Sequence, residues 1–255
     1  MTLHWPAEAI WEAVSREVPD FTVEVLPSID SSNTELMRRA RAGRIEPVLL
    51  VAETQTAGRG RLGRDWRSGA AADVGTSLTF SLGLPLRMSD WSGLSLAVGV
   101  SVAQSLHPEL RLKWPNDLWW RDRKLGGILI ETASMGSLRY AVIGVGINIA
   151  PRDAAGLSTA PAWLQELEPD IDAAQALSRL VVPLLQAVHR FESQGFAGFR
   201  QAFEARDALA GRKVGLSDGT TGLAHGVDAD GALLVHTAAG LLSINSSDVS
   251  VRPSN

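Results

Sequence analysis

Ile128-Leu129-Ile130-Glu131-Thr132 and Tyr140-Ala141-Val142-Ile143-Gly144-Val145-Gly146-Ile147-Asn148-Ile149 are two β-rich runs, with Ser134–Gly136 between them. Two such runs across a short polar break predict a β-hairpin. Upstream, Leu110–Lys113 reads as a strand entering the polar turn Trp114-Pro115-Asn116-Asp117. Asp90 opens a helix with Leu94, Ala97, Val98, Val102 and Leu106 at helical spacing and Pro108 beyond its end. Thr76–Leu82, Pro47–Glu53 and Thr22–Leu26 read as further strands. Residues 5–18 predict a first helix with Ile10, Trp11 and Val14 on one face. Ser32 and Glu35 fit a capping box for a second, which Gly43 ends.

Downstream, the stretch around 151–169 reads as loop. Asp172–Glu192 is helical, with Leu177, Leu180, Leu184, Val188 and Phe191 on one stripe and a kink expected at Pro183. A further helix is expected over Phe196–Leu209. Beyond Gly211, short β runs alternate with turns at Asp218-Gly219, Asp230-Gly231 and Ala239-Gly240, the pattern of a small all-β module. The expected fold is α+β, with domains at 1–209 and 210–255.

The chain has 255 residues, 45% hydrophobic and 20% charged, which suits a globular domain with a small appendage. Its formal net charge is −4, against the basic footprint of a nucleic-acid binder. With no cysteine, disulfides, thiolate metal sites and cysteine nucleophiles are excluded. That suits a reducing cytoplasm. The N-terminus lacks the pattern of a secretory signal, and no segment approaches the ~20 apolar residues that span a bilayer.

Gly58-Arg59-Gly60-Arg61-Leu62-Gly63-Arg64-Asp65-Trp66 formally matches the dinucleotide pattern G-x-G-x-x-G. That motif requires an apolar helix directly after its third glycine, and Arg64-Asp65-Trp66-Arg67-Ser68-Gly69 follows instead. No Gly-Lys-Ser/Thr closes it as a P-loop. Arginines between glycines make a mobile cationic strap over Ala57–Gly69, able to approach and grip phosphate or carboxylate. The alternatives are a solvated charged loop or a nucleic-acid contact.

Lys124 stands at the mouth of a buried strand, beside Gly126 and Gly127. It is a strand-end lysine in water, or one that reconciles two anions. A carboxylate approaching a phosphate meets ~4 kcal/mol of repulsion at about 4 Å and an effective dielectric near 20. A fixed ammonium offsets it. Asn148 lies inside an apolar strand and needs partners, from the protein or from a ligand edge such as adenine. Asn116 and Asp117 form an ordinary turn, or bond a base or metal-bound water. Ser31-Ser32-Asn33 caps a helix, or holds the polar head of a ligand.

Together and in this order, Asp-Ser-Ser-Asn, Glu53-x-Gln55, Gly-Arg-Gly-Arg-x-Gly-Arg-x-Trp, Lys-Trp-Pro-Asn-Asp, Lys-Leu-Gly-Gly-Ile-Leu-x-Glu and Gly-x-Gly-Ile-Asn resemble the biotin protein ligases. The resemblance runs from about Leu26 to Arg252 and includes Gly226–Leu234. It implies a mixed, largely antiparallel sheet flanked by helices, of the class II synthetase type, with a C-terminal barrel like Src-homology-3 domains. It implies that biotin and ATP, with magnesium, give biotinoyl-adenylate. The biotin then passes to a lysine of the biotin carboxyl carrier domain of acetyl-CoA carboxylase or a related carboxylase.

By the same resemblance, Ser31, Ser32, Asn33, Gln55, Gly58, Arg59, Arg61, Lys124 and Gly127 hold biotin. Arg61, Arg64, Trp66, Asn116, Lys124, Asn148 and Arg252 contact nucleotide, and Asp117 meets magnesium or nucleotide. Lys124, Arg61 and Arg59 are the expected catalytic set. Arg212 and Lys213 are further phosphate candidates. Ser32 stands where the family commonly has threonine, and the hydroxyl is kept. About 20 residues precede the first strand, too few for the winged DNA-binding domain of some members, so ligase activity without DNA or membrane binding is expected. The alternatives are a lipoate or octanoate ligase of the same fold, and a nucleic-acid-binding module whose affinity falls steeply with salt.

Overall fold

The computed structural model describes residues 3–68, 74–88, 90–135, 138–154, 156, 159–245 and 251–253. Seven strands build the main sheet: β1 (Thr22–Leu26), β2 (Val48–Ala52), β3 (Ser77–Leu86), β4 (Arg111–Lys113), β5 (Asp117–Trp120), β6 (Arg123–Met135) and β7 (Leu138–Asn148). Their order is β1-β2-β3-β7-β6-β5-β4. The first pair is parallel, because helix α2 (Ser32–Arg41) carries the chain back between β1 and β2. All other pairs are antiparallel. The expected hairpin is β6–β7, registered from Gly126↔Ile147 to Met135↔Leu138. Ser134 belongs to its strand, while Gly136 and Gly69 lie outside the described residues.

Alternation along the strands divides the core. Leu49, Val51, Leu78, Phe80, Leu82, Ile143 and Val145 join the cluster formed with α3 (Leu94–Leu106) and α4 (Ala173–Gln194). Leu50, Tyr140 and Val142 pack with Leu36, Met37 and Ala40 of α2 instead. Helix α3 is buried on nearly every side, which explains its apolar composition.

Several boundaries differ from expectation for identifiable reasons. Helix α1 covers only Ala7–Val14, and Ile10 and Val14 face the core while Trp11 is exposed. One residue beyond Ile10 turns Trp11 about 100° away. Ser31, not Ser32, caps α2, accepting from the Thr34 N–H. Glu35 meets Arg38 and Arg39 rather than closing a capping box. Helix α3 begins after Gly93, because Asp90 spends its carboxylate on the Ser92 N–H in a preceding turn.

Only α5 (Arg200–Glu204) and a 3-10 turn at Phe196–Gly198 form in the expected last helix. Backbone at 206–208 pairs with β4 instead, through Leu112 N to Arg206 O (2.8 Å) and Ala208 N to Leu112 O (2.9 Å). Strand β5 was hidden behind the polar turn, whose Trp114–Pro115 peptide is cis. Asp172 and Gln175 make a reciprocal capping box for α4, which runs on through Pro183.

The C-terminal strands are β8 (Lys213–Leu216), β9 (Thr221–Val227), β10 (Leu233–Thr237), β11 (Gly240–Ile244) and β12 (Val251–Pro253). They form an antiparallel sheet ordered β11-β10-β9-β8-β12. Val214, Leu216, Val227, Leu233, Val235 and Val251 join the main core cluster. A polar tie accompanies this packing: the buried Trp114 indole donates to Gly231 O at 3.0 Å. Trp114→Phe keeps an aromatic side chain but removes the pyrrole half of the indole, strands that carbonyl and leaves a small cavity. The expected loss is about 1–3 kcal/mol of unfolding free energy, read by urea denaturation.

Candidate active site

A cavity of about 370 Å³ opens on the α2 face of the main sheet. Its floor is backbone of β6 and β7, where Gly127, Gly144 and Gly146 carry no side chain. The absence matters at two of them. A Cβ on Gly146 would lie 2.5 Å from the Trp66 ring, and one on Gly144 would collide with the Asn33 amide. The bare strand lets an aromatic ring and an amide lie directly on the sheet.

One end of the cavity is a neutral hydrogen-bonding cradle. Ser32 donates to Gln55 Oε1 through its backbone N–H (2.7 Å) and its hydroxyl (3.1 Å). The Ser81 hydroxyl lies 2.7 Å from Ser32 Oγ and donates to Asn33 Oδ1 at 2.6 Å. Asn33 Nδ2 donates to Leu129 O (3.2 Å) and Glu131 Oε2 (3.0 Å). Gln55 is anchored from behind, its N–H donating to Ser68 Oγ at 2.8 Å. Ser31, Ser32, Asn33 and Ser81 are buried, so the cradle is preorganised rather than solvated.

The other end is cationic. Lys124 Nζ donates to Asp117 Oδ1 at 2.6 Å, and Lys113 Nζ lies 3.8 Å from Asp117 Oδ2. Lys113 also sits 5.2 Å over the Trp119 ring. Burial pushes the Lys113 ammonium below its ordinary 10.5; Asp117 opposes this, while Lys124, Arg64 and Arg252 add to it. Such an arrangement favours an incoming anion, which supplies the negative charge the cluster lacks.

The arginine-glycine loop bends over this site. Gly60 N bonds Arg64 O (2.7 Å) and Trp66 N bonds Gly58 O (2.8 Å), with Leu62 at φ 56° in the turn. The expected cationic strap is folded into a turn here. Arg152 pins its far side. It donates to Arg67 O (2.6 Å) and to Asn148 Oδ1, and lies 5.6 Å from the Trp66 ring.

Of the residues expected from sequence, all but Gly58, Arg212 and Lys213 line this cavity. Gly58 lies behind it, against Gln55 and Trp66. Asn148 spends its amide N–H groups on Lys124 O (3.2 Å) and Ala162 O (2.9 Å), and Asn116 donates to Ile128 O (2.6 Å). Both thus support the cavity wall, as the plainer reading of Asn148 had it. Asp117 has a lysine against each of its oxygens, and no group of three or more acidic or histidine residues among those described could form an all-protein metal cage; a magnesium ion held through substrate phosphates needs no such cage.

Arg212 pairs with Asp122 at 2.5 Å, and neither it nor Lys213 lines the cavity. Lys113, Trp119, Ser81 and Arg152 were missed as site members. Alternation within β4–β5 could have found the first two. Nothing local signals Arg152.

The fold and this cavity define the class: residues 25–148 match the Biotin/lipoate A/B protein ligase family, and 213–252 match the Biotin protein ligase C terminal domain. The chain is 37% identical over 225 residues to the Bifunctional ligase/repressor BirA of Escherichia coli K12, covering 84% of this chain and 69% of that one. It is 32% identical over 241 residues to the Biotin--[acetyl-CoA-carboxylase] ligase of Mycobacterium tuberculosis, covering 89% and 88%. The biotin protein ligase from Aquifex aeolicus in complex with biotin and ATP superposes with a TM-score of 0.75 at 27% identity, covering 92% and 100%. The chain belongs to the biotin protein ligase family, and it is a ligase.

Lys113 generates a stability test. Its native proton affinity is depressed, so the unfolded chain binds the extra proton at pH values between the native value and 10.5. Its contribution to stability should therefore rise with pH through that window. Lys113→Met should remove this rise and increase the melting temperature at pH 7. Melting curves from pH 7 to 10 for the two proteins check it.

Proposed function

We propose that the cavity joins biotin to ATP, releasing pyrophosphate, and then passes biotin to a lysine of a biotin carboxyl carrier domain. The carrier would be that of acetyl-CoA carboxylase or a related carboxylase. The supporting observation is the juxtaposition within one cavity of the Ser32–Gln55–Asn33 cradle and the Lys113–Lys124–Arg252 cluster. A cradle of fixed donors and acceptors suits the uncharged ring system of biotin. The cationic end suits its carboxylate and the phosphates of ATP.

In the first step a carboxylate oxygen attacks the α-phosphorus, and the bond to the bridging oxygen of pyrophosphate breaks. Charge builds where Lys124 stands. The phosphates compete with Asp117 for its ammonium, and Gly127 leaves open space beside Nζ. Arg59, Arg61 and Arg64 close over the anions, and Trp66 offers its ring to the nucleotide. Asn116, Asn148 and Arg252 shape the nucleotide end. Ser31, Ser32, Asn33, Gln55 and Gly58 form or back the biotin end. Magnesium enters with the ATP phosphates as part of the substrate.

In the second step the carrier amine, having lost its proton, attacks the acyl carbon. AMP leaves with the electron pair of the broken bond. We assign 1–209 to this chemistry and 210–255 to a module that contributes Arg252 to the cavity rim. No helix among the described residues is long and apolar enough to cross a membrane.

The deciding experiment is biotin-dependent ATP–pyrophosphate exchange, with lipoate and octanoate as competing acids. Exchange supported by lipoate rather than biotin would overturn the choice of acid. Lys124→Ala should lower the exchange rate by about 10²–10³, as removal of one preorganised donor to a developing charge does. Arg61→Ala should weaken retention of the adenylate more than the affinity for free biotin. Equal losses would remove the role given to the arginine loop.

A further inference from the structure

Glu131 has no role in the chemistry above, yet it touches both halves of the machinery. Its Oε2 accepts from Asn33 Nδ2 at 3.0 Å, inside the cradle. Its Oε1 lies 3.7 Å from Arg59 Nη1, the first arginine of the loop. We infer that Glu131 is a positioning residue that latches the arginine loop to the acid-binding cradle, so that closure over the adenylate reports an occupied cradle. The inference rests on the proposed function and deepens it.

The cradle side of the latch is fixed. Asn33 is buried, its Oδ1 taken by Ser81 and its Nδ2 shared between Leu129 O and Glu131. The Glu131 carboxylate is therefore aimed by a residue that has no freedom of its own. The loop side is open. The Arg59 side chain is 52% exposed and that of Glu131 22%. An ion pair this exposed contributes little while water reaches it. A ligand that fills the cavity and expels water lowers the local dielectric and strengthens the same pair.

The latch is thus weak over an empty cavity and firm over a filled one. A second connection runs in parallel, since Gly58, next to Arg59, rests against Gln55 of the cradle. The consequence is specific. Glu131 should govern how long the adenylate is retained more than it governs the binding of biotin alone, which presents no phosphate to the loop's arginines.

The test uses the full chain. Adenylate is formed from biotin and ATP, free ligand is removed, and the half-life of the retained adenylate is followed. Biotin affinity without nucleotide is measured by calorimetry. Glu131→Gln keeps an acceptor for Asn33 and removes the charge facing Arg59. It should shorten the half-life about fivefold, or ~1 kcal/mol at 1.4 kcal/mol per tenfold, and leave biotin affinity within about twofold.

Arg59→Gln removes both the latch and that guanidinium's own contact with the anions, so it should shorten the half-life by at least as much. The double variant should lose no more than Arg59→Gln alone, because without Arg59 the Glu131 charge has nothing to hold. An unchanged half-life in Glu131→Gln, additive losses, or an equal fall in biotin affinity would each overturn the latch. Wild-type protein that forms no adenylate would instead sink the functional reading, and the latch with it.

Discussion

Two lysines share one carboxylate, and much of the site follows from that. Asp117 meets Lys124 on one oxygen and Lys113 on the other, in a place where Arg64 and Arg252 add further positive charge. Like charges crowd together only when something else holds them there. Here it is the sheet: Lys113 and Asp117 are cross-strand neighbours in β4–β5, and Gly127 of β6 is registered against Asp117. The backbone ladder fixes the spacing, and the side chains accept an unfavourable field. Burial first, and the neighbouring cations after it, depress the proton affinity of Lys113, and an anionic ligand offsets the contribution of the cations.

The same sheet sets the geometry at the neutral end. Asn33 and Trp66 come from different segments, yet each lies on a glycine of the Gly144-Val145-Gly146 stretch in β7. Any larger residue there would lift one of them away. The cradle and the aromatic platform are consequently placed by a shared rigid surface rather than by loop conformation. The opposite face of the same strands carries Ile143, Val145 and Ile147 into the core. One strand thus anchors the fold with alternate residues and shapes the pocket with the rest.

The arginine-glycine loop joins these ends and is the least internally supported part of the site. Its own turn hydrogen bonds are backbone to backbone apart from Arg64 Nε donating to Arg61 O at 3.2 Å, and Leu62 is exposed. What holds it over the cavity comes from elsewhere in the chain: Glu131 of β6 on one side, Arg152 beyond β7 on the other. A loop tethered by side chains at its margins can open without disturbing the sheet beneath it.

The sequence by itself determined the α+β class, most strands and the terminal β module. Each of these leaves a local trace in period-2 apolar runs or turn dipeptides, whereas the cavity residues followed from the resemblance of the ordered motifs to a family. Helix ends were less legible, because Leu112 captures the backbone of 206–208 from more than 90 residues away and no local propensity reports it. Strand β5 was obscured because it is four residues long and starts directly after the polar turn, so it stands out only once paired with β4, which the sequence did show. Only the tertiary structure decided that Asp117 pairs two lysines, that Asn148 buttresses a wall, and that Glu131 joins loop to cradle. In each case the partners are brought together by the pairing of separate strands or by contact with another segment, which composition and spacing do not encode.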